Sequence, residues 1–227
     1  MPMTRVMPAL RARPTLNIAA RADVEAHFQN EMDLLERIGV PLIRGDTDRR
    51  TVGVRTECLR VARQLAELER TRIGLVPVGK DVSVLPVALQ VGLALHDLVG
   101  STVAYVDANV RWPAVADGLG QTADDGLTAF ETRWLFESLA ILVPPHTASS
   151  GDVLPRLRWA LEEGSDLFGS MMVDLTGFEL IGEMQGAVDM LDGVVLVAGA
   201  GVSREDEIVA IYNEFEPQQV IGALLVG

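Results

Sequence analysis

The chain has 227 residues, of which 48% are hydrophobic and 22% charged, with a formal net charge of −13. That length and apolar content exclude a disordered chain. The acidic balance argues against nucleic acid or an anionic membrane as the main partner, and the single cysteine, Cys58, excludes a disulfide framework and a cysteine-built zinc site. Charge is unevenly spread: residues 1–72 hold 13 Arg against 10 acidic residues, about +3, whereas residues 73–227 hold one Lys and five Arg against 22 acidic residues, −16. Only one of the 19 basic residues is a lysine, Lys80.

Pro2, Pro8 and Pro14 punctuate an Arg-rich opening that lacks the uninterrupted apolar stretch of a secretory signal. The longest apolar runs stop well short of a membrane span, so a cytoplasmic protein without a direct membrane span is expected. Val24, Phe28, Met32, Leu35 and Ile38 recur at helical spacing and predict a helix over 21–38, with Gly39 as its stop. Residues 1–50 thus read as a mobile start plus an N-terminal helix, and 51–227 as one α/β domain. Gly45–Arg50 reads as a polar loop. A helix follows from Val54 to about Arg70, with Cys58, Val61, Ala62, Leu65 and Leu68 on one face.

Ile73–Val78 is a short apolar run of strand character, and 79–83 a loop. Pro86–Leu98 reads as a helix that begins on a proline and ends at Gly100. Thr102–Val106 is a β-prone run closed by Asp107. Further strands are expected at Leu139–Val143, Ser170–Val173, Gly193–Val197 and Val220–Val226, and helices at Asp152–Glu163, about Leu180–Met190 and Ser203–Phe215. Strands apolar on both faces, alternating with helices, predict a doubly wound, mostly parallel sheet flanked by helices, with a helical N-terminal extension. Ligands in such sheets sit at the carboxyl ends of the strands. That singles out the loop after Val78, Asp107 and Asp174. Trp112-Pro113 and the Pro144-Pro145 pair follow two strands and are placed on the rim of this crevice. Trp134 and Trp159 read as core or crevice residues. His27, His96 and His146 have no metal-ligand spacing, and no metal site is expected.

Several segments resemble one family in order. Thr102-Val-Ala-Tyr-Val-Asp-Ala-Asn-Val-Arg-Trp-Pro113 resembles the V-D-A-D-x-R-x-P segment of bacterial tyrosine kinases and their MinD/ParA-like P-loop relatives. Met171-Met-Val-Asp174 resembles their Walker B strand. Asp192–Val197 followed by a helix from Ser203, and Val220–Val226, resemble the strands and helix that come next. Glu57, Arg60 and Arg63 fit the E-x-x-R-x-x-R pattern that these kinases use for ring-like self-association.

The same alignment finds the catalytic signature degenerate. The family's G-x-x-x-x-G-K-[ST] loop cradles phosphates with backbone N–H groups, neutralises them with the lysine and binds Mg²⁺ through the hydroxyl. Here Val84 falls in the lysine slot, Leu85 and Pro86 in the Ser/Thr slots, and Asp81 and Ser83 in the glycine slots. Lys80 lies four residues too early, and reads either as a solvated lysine or as a displaced phosphate contact. The second carboxylate of the D-x-D motif is Asn109, the adenine-reading asparagine is Val226, and no C-terminal tyrosine cluster exists. Each lost contact is expected to cost about 1–3 kcal/mol of recognition. Asp107 and Asp174 remain as carboxylates, either as caps and loop acceptors or as a weak Mg²⁺ site.

The resemblance implies a non-catalytic pseudo-ATPase or pseudokinase that takes no cofactor. It would act as a self-associating scaffold or regulator in bacterial polysaccharide synthesis and export or another envelope assembly. Its implied partners are further copies of itself and a cytoplasmic protein or protein segment, such as the cytoplasmic part of a membrane polysaccharide-export protein that recruits it to the inner membrane. On periodicity alone Glu57, Arg60 and Arg63 are an exposed charged face. On the resemblance they meet acidic residues of a neighbouring subunit. Two alternatives stand beside this reading: a residual ATP-binding protein using Lys80, Asp107 and Asp174 with Mg²⁺, and a monomeric partner-binding module.

Overall fold

Seven strands, six of them carrying at most one charge, pair into one sheet in the computed structural model, which describes residues 30–33, 35–36, 49–110, 130–144 and 153–227. The strands are β1 (Arg72–Val78), β2 (Val103–Asp107), β3 (Glu131–Leu135), β4 (Leu139–Val143), β5 (Ser170–Asp174), β6 (Gly193–Gly199) and β7 (Val220–Val226), in the order β3-β4-β2-β5-β1-β6-β7. All neighbours are parallel except β3 and β4. The helices are α1 (Arg49–Glu67), α2 (Leu85–Val99), α3 (Val153–Gly164), α4 (Phe178–Ile181), α5 (Met184–Val188) and α6 (Glu205–Tyr212).

The central strands β2, β4, β5 and β6 are buried along their whole length. That is why they carry apolar residues on both faces instead of alternating. One face packs under α1 and α2, joining Ala62, Leu89, Tyr105, Ile141 and Val195. The other packs under α3 and α6, joining Leu157, Val106, Val173, Leu196 and Ile208. Burying each large side chain of this kind contributes about 1.5–3 kcal/mol. Pro77 sits in β1 without breaking it. The Leu75 carbonyl accepts from Leu175 N–H on the β5 side, so Pro77, two residues on, turns its missing N–H to the same side, beyond the last β5 partner.

The amino ends of β1 and β6 are clamped by one carboxylate. Asp192 Oδ2 accepts from Thr71 N–H (2.9 Å), Thr71 Oγ1 (3.1 Å) and Arg72 N–H (2.9 Å), while Arg70 donates to the Asp192 carbonyl at 2.8 Å. Partial burial raises the Asp192 pKa, but these donors and the Arg72 charge outweigh it and hold the carboxyl below its usual value.

Five expectations need correction. Strand β3 was not foreseen. Its Glu131-Thr-Arg-Trp-Leu sequence carries two charges, which an antiparallel edge strand tolerates and a buried parallel one does not. Residues 49 and 50, read as loop, begin α1. The helix expected over 180–190 is two short ones, because Gly182 adopts a left-handed φ of 71° and closes α4. Helix α6 is shorter than the expected Ser203–Phe215, because Ser203 turns to the strand ends and Arg204 is its extended N-cap. Trp134 and Trp159 are half exposed rather than buried; Trp134 leans on Phe168, with ring centroids 5.8 Å apart.

Within the expected N-terminal helix, the described residues 30–33 and 35–36 are helical, and the remainder lies outside the described residues. Leu35 is fully buried in the α1–α2 core. Glu31 accepts from the Phe136 N–H at 2.9 Å. Phe136 (φ 52°) and Glu137 (φ 56°) form the left-handed two-residue turn between β3 and β4, closed by Ser138 N–H to the Leu135 carbonyl.

Candidate functional site

The topology brings the three singled-out places together. Asp107 ends β2 and Asp174 ends β5, and the two are direct partners in register. Beside β5 lies β1, whose end opens into the 79–84 loop and then α2. Tyr105, two residues before Asp107, points to the same face.

Around Asp174 the polar groups form a closed set. Its Oδ2 accepts from the Tyr105 hydroxyl at 2.8 Å, and its Oδ1 accepts from the Thr176 N–H at 2.9 Å and the Thr176 hydroxyl at 2.5 Å. Both carboxylates are almost wholly buried. Burial raises the Asp174 pKa above its ordinary value, against the lowering effect of the Thr176 and Tyr105 hydrogen bonds. Burial, with the nearby Asp174 and Asp107, pushes the Tyr105 phenol well above its own. Asp107 accepts from Asn109 N–H at 3.3 Å, and Val110 N–H donates to the Thr176 carbonyl at 3.0 Å, tying the two strand-end loops together.

The loop after β1 is built from apolar side chains turned inward. Gly79 has φ 100°, a turn that glycine makes without strain. Lys80, Asp81 and Ser83 are exposed. Val82, Val84 and Leu85 are buried in the α1–α2 core, Val84 at 2% exposure, and Pro86 lies half buried in the first turn of α2. Val84 itself is the N-cap, and no side chain caps the helix. The β6–α6 loop closes over the same end. Ser203 Oγ donates to the Val78 carbonyl at 2.6 Å and accepts from Gly199 N–H at 2.8 Å. A Cβ at Gly199 would lie 3.0 Å from Val202 Cβ of the same loop, a tight contact, and 3.4 Å from Val82 Cγ2, so the two loops lie close together here. Val226, at the end of β7, packs partly buried on the same core.

At the amino end of α2, where an anion would meet the first free N–H groups, the structure therefore places the buried side chains of Val84 and Leu85. Glu57, Arg60 and Arg63 lie elsewhere, exposed on α1. Arg60 Nε pairs with Glu57 at 2.7 Å and Arg60 also reaches Gln64 at 3.3 Å. Pro144 follows β4, half buried; Trp112, Pro113 and Pro145 lie outside the described residues. Among the described residues no group of three or more His, Cys, Asp or Glu could hold a metal ion, and no helix is long and apolar enough to cross a membrane. Tyr105, Thr176, Val82 and Ser203 were not singled out from sequence. The i,i+2 spacings Tyr105–Asp107 and Asp174–Thr176 carried the signal for two of them.

No protein-family model matches the chain, and no curated protein matches it in sequence. Solved structures do match in shape. The VpsO kinase domain is 18% identical, with a TM-score of 0.61, over 78% of this chain and 95% of that one. The BceF tyrosine kinase domain is 14% identical, with a TM-score of 0.60, over 91% and 97%. The kinase domain of the Escherichia coli tyrosine kinase ETK is 17% identical, with a TM-score of 0.56, over 74% of each chain. With its seven-stranded, mostly parallel sheet and flanking helices, the chain has the fold of these tyrosine-kinase domains.

Proposed function

We propose that the chain is a non-catalytic relative of the bacterial tyrosine kinases, a pseudo-ATPase that works as a self-associating scaffold or regulator. Its setting is bacterial polysaccharide synthesis and export or a similar envelope assembly, where it docks on a cytoplasmic segment of a membrane partner. The observation that carries the reading is Val84. This residue, which the family alignment sets in the slot of the phosphate-neutralising lysine, is a valine at 2% exposure, packed in the α1–α2 core with Val82 and Leu85. Such a side chain cannot neutralise a phosphate, and three of Asp174's acceptor positions are taken by Tyr105 and Thr176, which speaks against a Mg²⁺-triphosphate here.

Thermal unfolding with and without Mg-ATP tests it. A ligand at a hundred times its dissociation constant stabilises the native state by about 2.7 kcal/mol. No shift at millimolar Mg-ATP is expected. An upward shift that Asp107→Ala abolishes would overturn the reading in favour of an ATP-binding protein that uses Lys80, Asp107 and Asp174.

Self-association is proposed to run through the exposed Arg60 and Arg63 against the acidic body of a neighbour. Light scattering should show wild type above monomer mass and the Arg60→Glu, Arg63→Glu double variant shifted towards monomer. Monomers throughout at high concentration would instead make the chain a monomeric binding module.

A further inference from the structure

The far edge of the sheet carries a second surface that the nucleotide crevice does not use. Strand β7 pairs only with β6 among the described strands. Its Val220-Ile-Gly-Ala-Leu-Leu-Val226 sequence is uncharged, with no proline to block an added strand. The Val226 carbonyl accepts from Ala200 N–H on the β6 side, so Ala223 and Leu225, of the other parity, turn their N–H and C=O groups to the open edge. The Leu225 side chain is 73% exposed and lies on the sheet face that α6 covers, since Leu225 is in register with Ala198. Helix α6 adds exposed Val209 and Tyr212 on its outer side. The stretch that carries both elements is acidic: residues 200–227 hold five carboxylates, Glu205, Asp206, Glu207, Glu214 and Glu216, against one Arg204, a balance of −4.

Pairing of β7 with a second β7 would bring two of these acidic stretches together, so the surface selects a basic, apolar occupant. This chain contains one. Residues 1–22 carry Arg5, Arg11, Arg13 and Arg21 and no carboxylate, interleaved with Val6, Leu10, Leu16 and Ile18. The residues that follow enter the fold at the opposite edge, where Glu31 meets Phe136 between β3 and β4. Between that entry point and β7 of the same copy lie β2, β5, β1 and β6, a separation that the β7 of a neighbouring copy does not impose.

We propose that the Arg-rich segment, residues 4–21, of one copy docks on the β7–α6 edge of the next, linking copies head to tail. The contact is heterologous, each copy offering its segment at one edge and its acceptor at the other. It deepens the self-association proposed above with a surface independent of Arg60 and Arg63.

The full-length chain tests this in two ways. Residue-resolved hydrogen exchange should find the Ala223 and Leu225 amides protected. That protection should fall about tenfold in an Arg5→Glu, Arg11→Glu, Arg13→Glu variant, the size expected from reversing three charge pairs, and should fall likewise at high salt. Chains carrying Ile18→Cys mixed with chains carrying Leu225→Cys should form a mixed disulfide under mild oxidation. Chains carrying Leu167→Cys, exposed beyond α3, should not. The Arg60→Glu, Arg63→Glu background should leave that disulfide intact, so the two surfaces are read separately. Unprotected Ala223 and Leu225 amides in wild type overturn the proposal, as does protection indifferent to charge reversal or a disulfide that forms only within a single doubly substituted chain.

Discussion

Tyr105 reaches Asp174 across β2 and β5 with 2.8 Å between hydroxyl and carboxylate, in a place where neither meets solvent. Removing the hydroxyl in Tyr105→Phe leaves Asp174 Oδ2 without that donor. The loss is expected to cost about 1–3 kcal/mol and to appear as a lower urea midpoint with an unchanged m-value. The asymmetry of the site follows from the same pair. The two carboxylates sit in register at adjacent strand ends, and burial raises the Asp174 pKa. A hydroxyl donor on that carboxylate and two donors from Thr176 stabilise its charge from inside the protein. Little of this was legible in the sequence. The burial of Val82 and Val84 in the loop before α2 is legible as apolar residues alternating with Asp81 and Ser83, because that signal is local. The Tyr105–Asp174 contact depends on which strands become neighbours, and 69 residues separate its two ends.

Asp192 does for two strands what a turn does for a hairpin, fixing where β1 and β6 start relative to each other. Its folded-state pKa lies below the unfolded value of about 3.9. Its contribution is therefore fully present above that value and is lost as pH falls through the folded pKa. Asp192→Asn is expected to be about 1–2 kcal/mol less stable than wild type at neutral pH. The gap should narrow as both are unfolded in increasingly acid buffer, measured by denaturant melts at a series of pH values. At the element scale the sequence was most readable where burial is symmetrical. Strands β1, β2 and β4–β7 announce themselves as uncharged β-branched runs because helices cover both faces of most of them. Strand β3 escaped because an edge strand may keep Arg133 in water, which dilutes the pattern that marks a strand. Gly182 was readable as a helix stop only after the fact, since an isolated glycine within an apolar helical pattern is tolerated as often as it terminates.

The whole molecule divides its charge along the chain and its contacts across the sheet. The N-terminal helix residues Glu31 and Leu35 dock beside the β3–β4 turn and in the core, and β7 forms the other described edge of the sheet, while the sequence concentrates arginine before residue 73 and carboxylates after it. The loop after β1 is pinned by the buried Val82 and Val84, and Ser203 bridges the ends of β1 and β6 beside it. That anchoring has a consequence for proteolysis. Lys80 is the only lysine of the chain, and it is exposed at the start of this loop. A lysine-specific protease therefore has one peptide bond to cut, Lys80–Asp81, and a protease must draw several flanking residues into its cleft to cut it. With Val82 and Val84 anchored in the core, cleavage should wait for the loop to lift from the body. Its rate, followed as the appearance of two fragments, should be slow in the native protein and rise in step with unfolding as urea is added. Rapid cutting of the native chain at Lys80 would mean that the loop opens on its own.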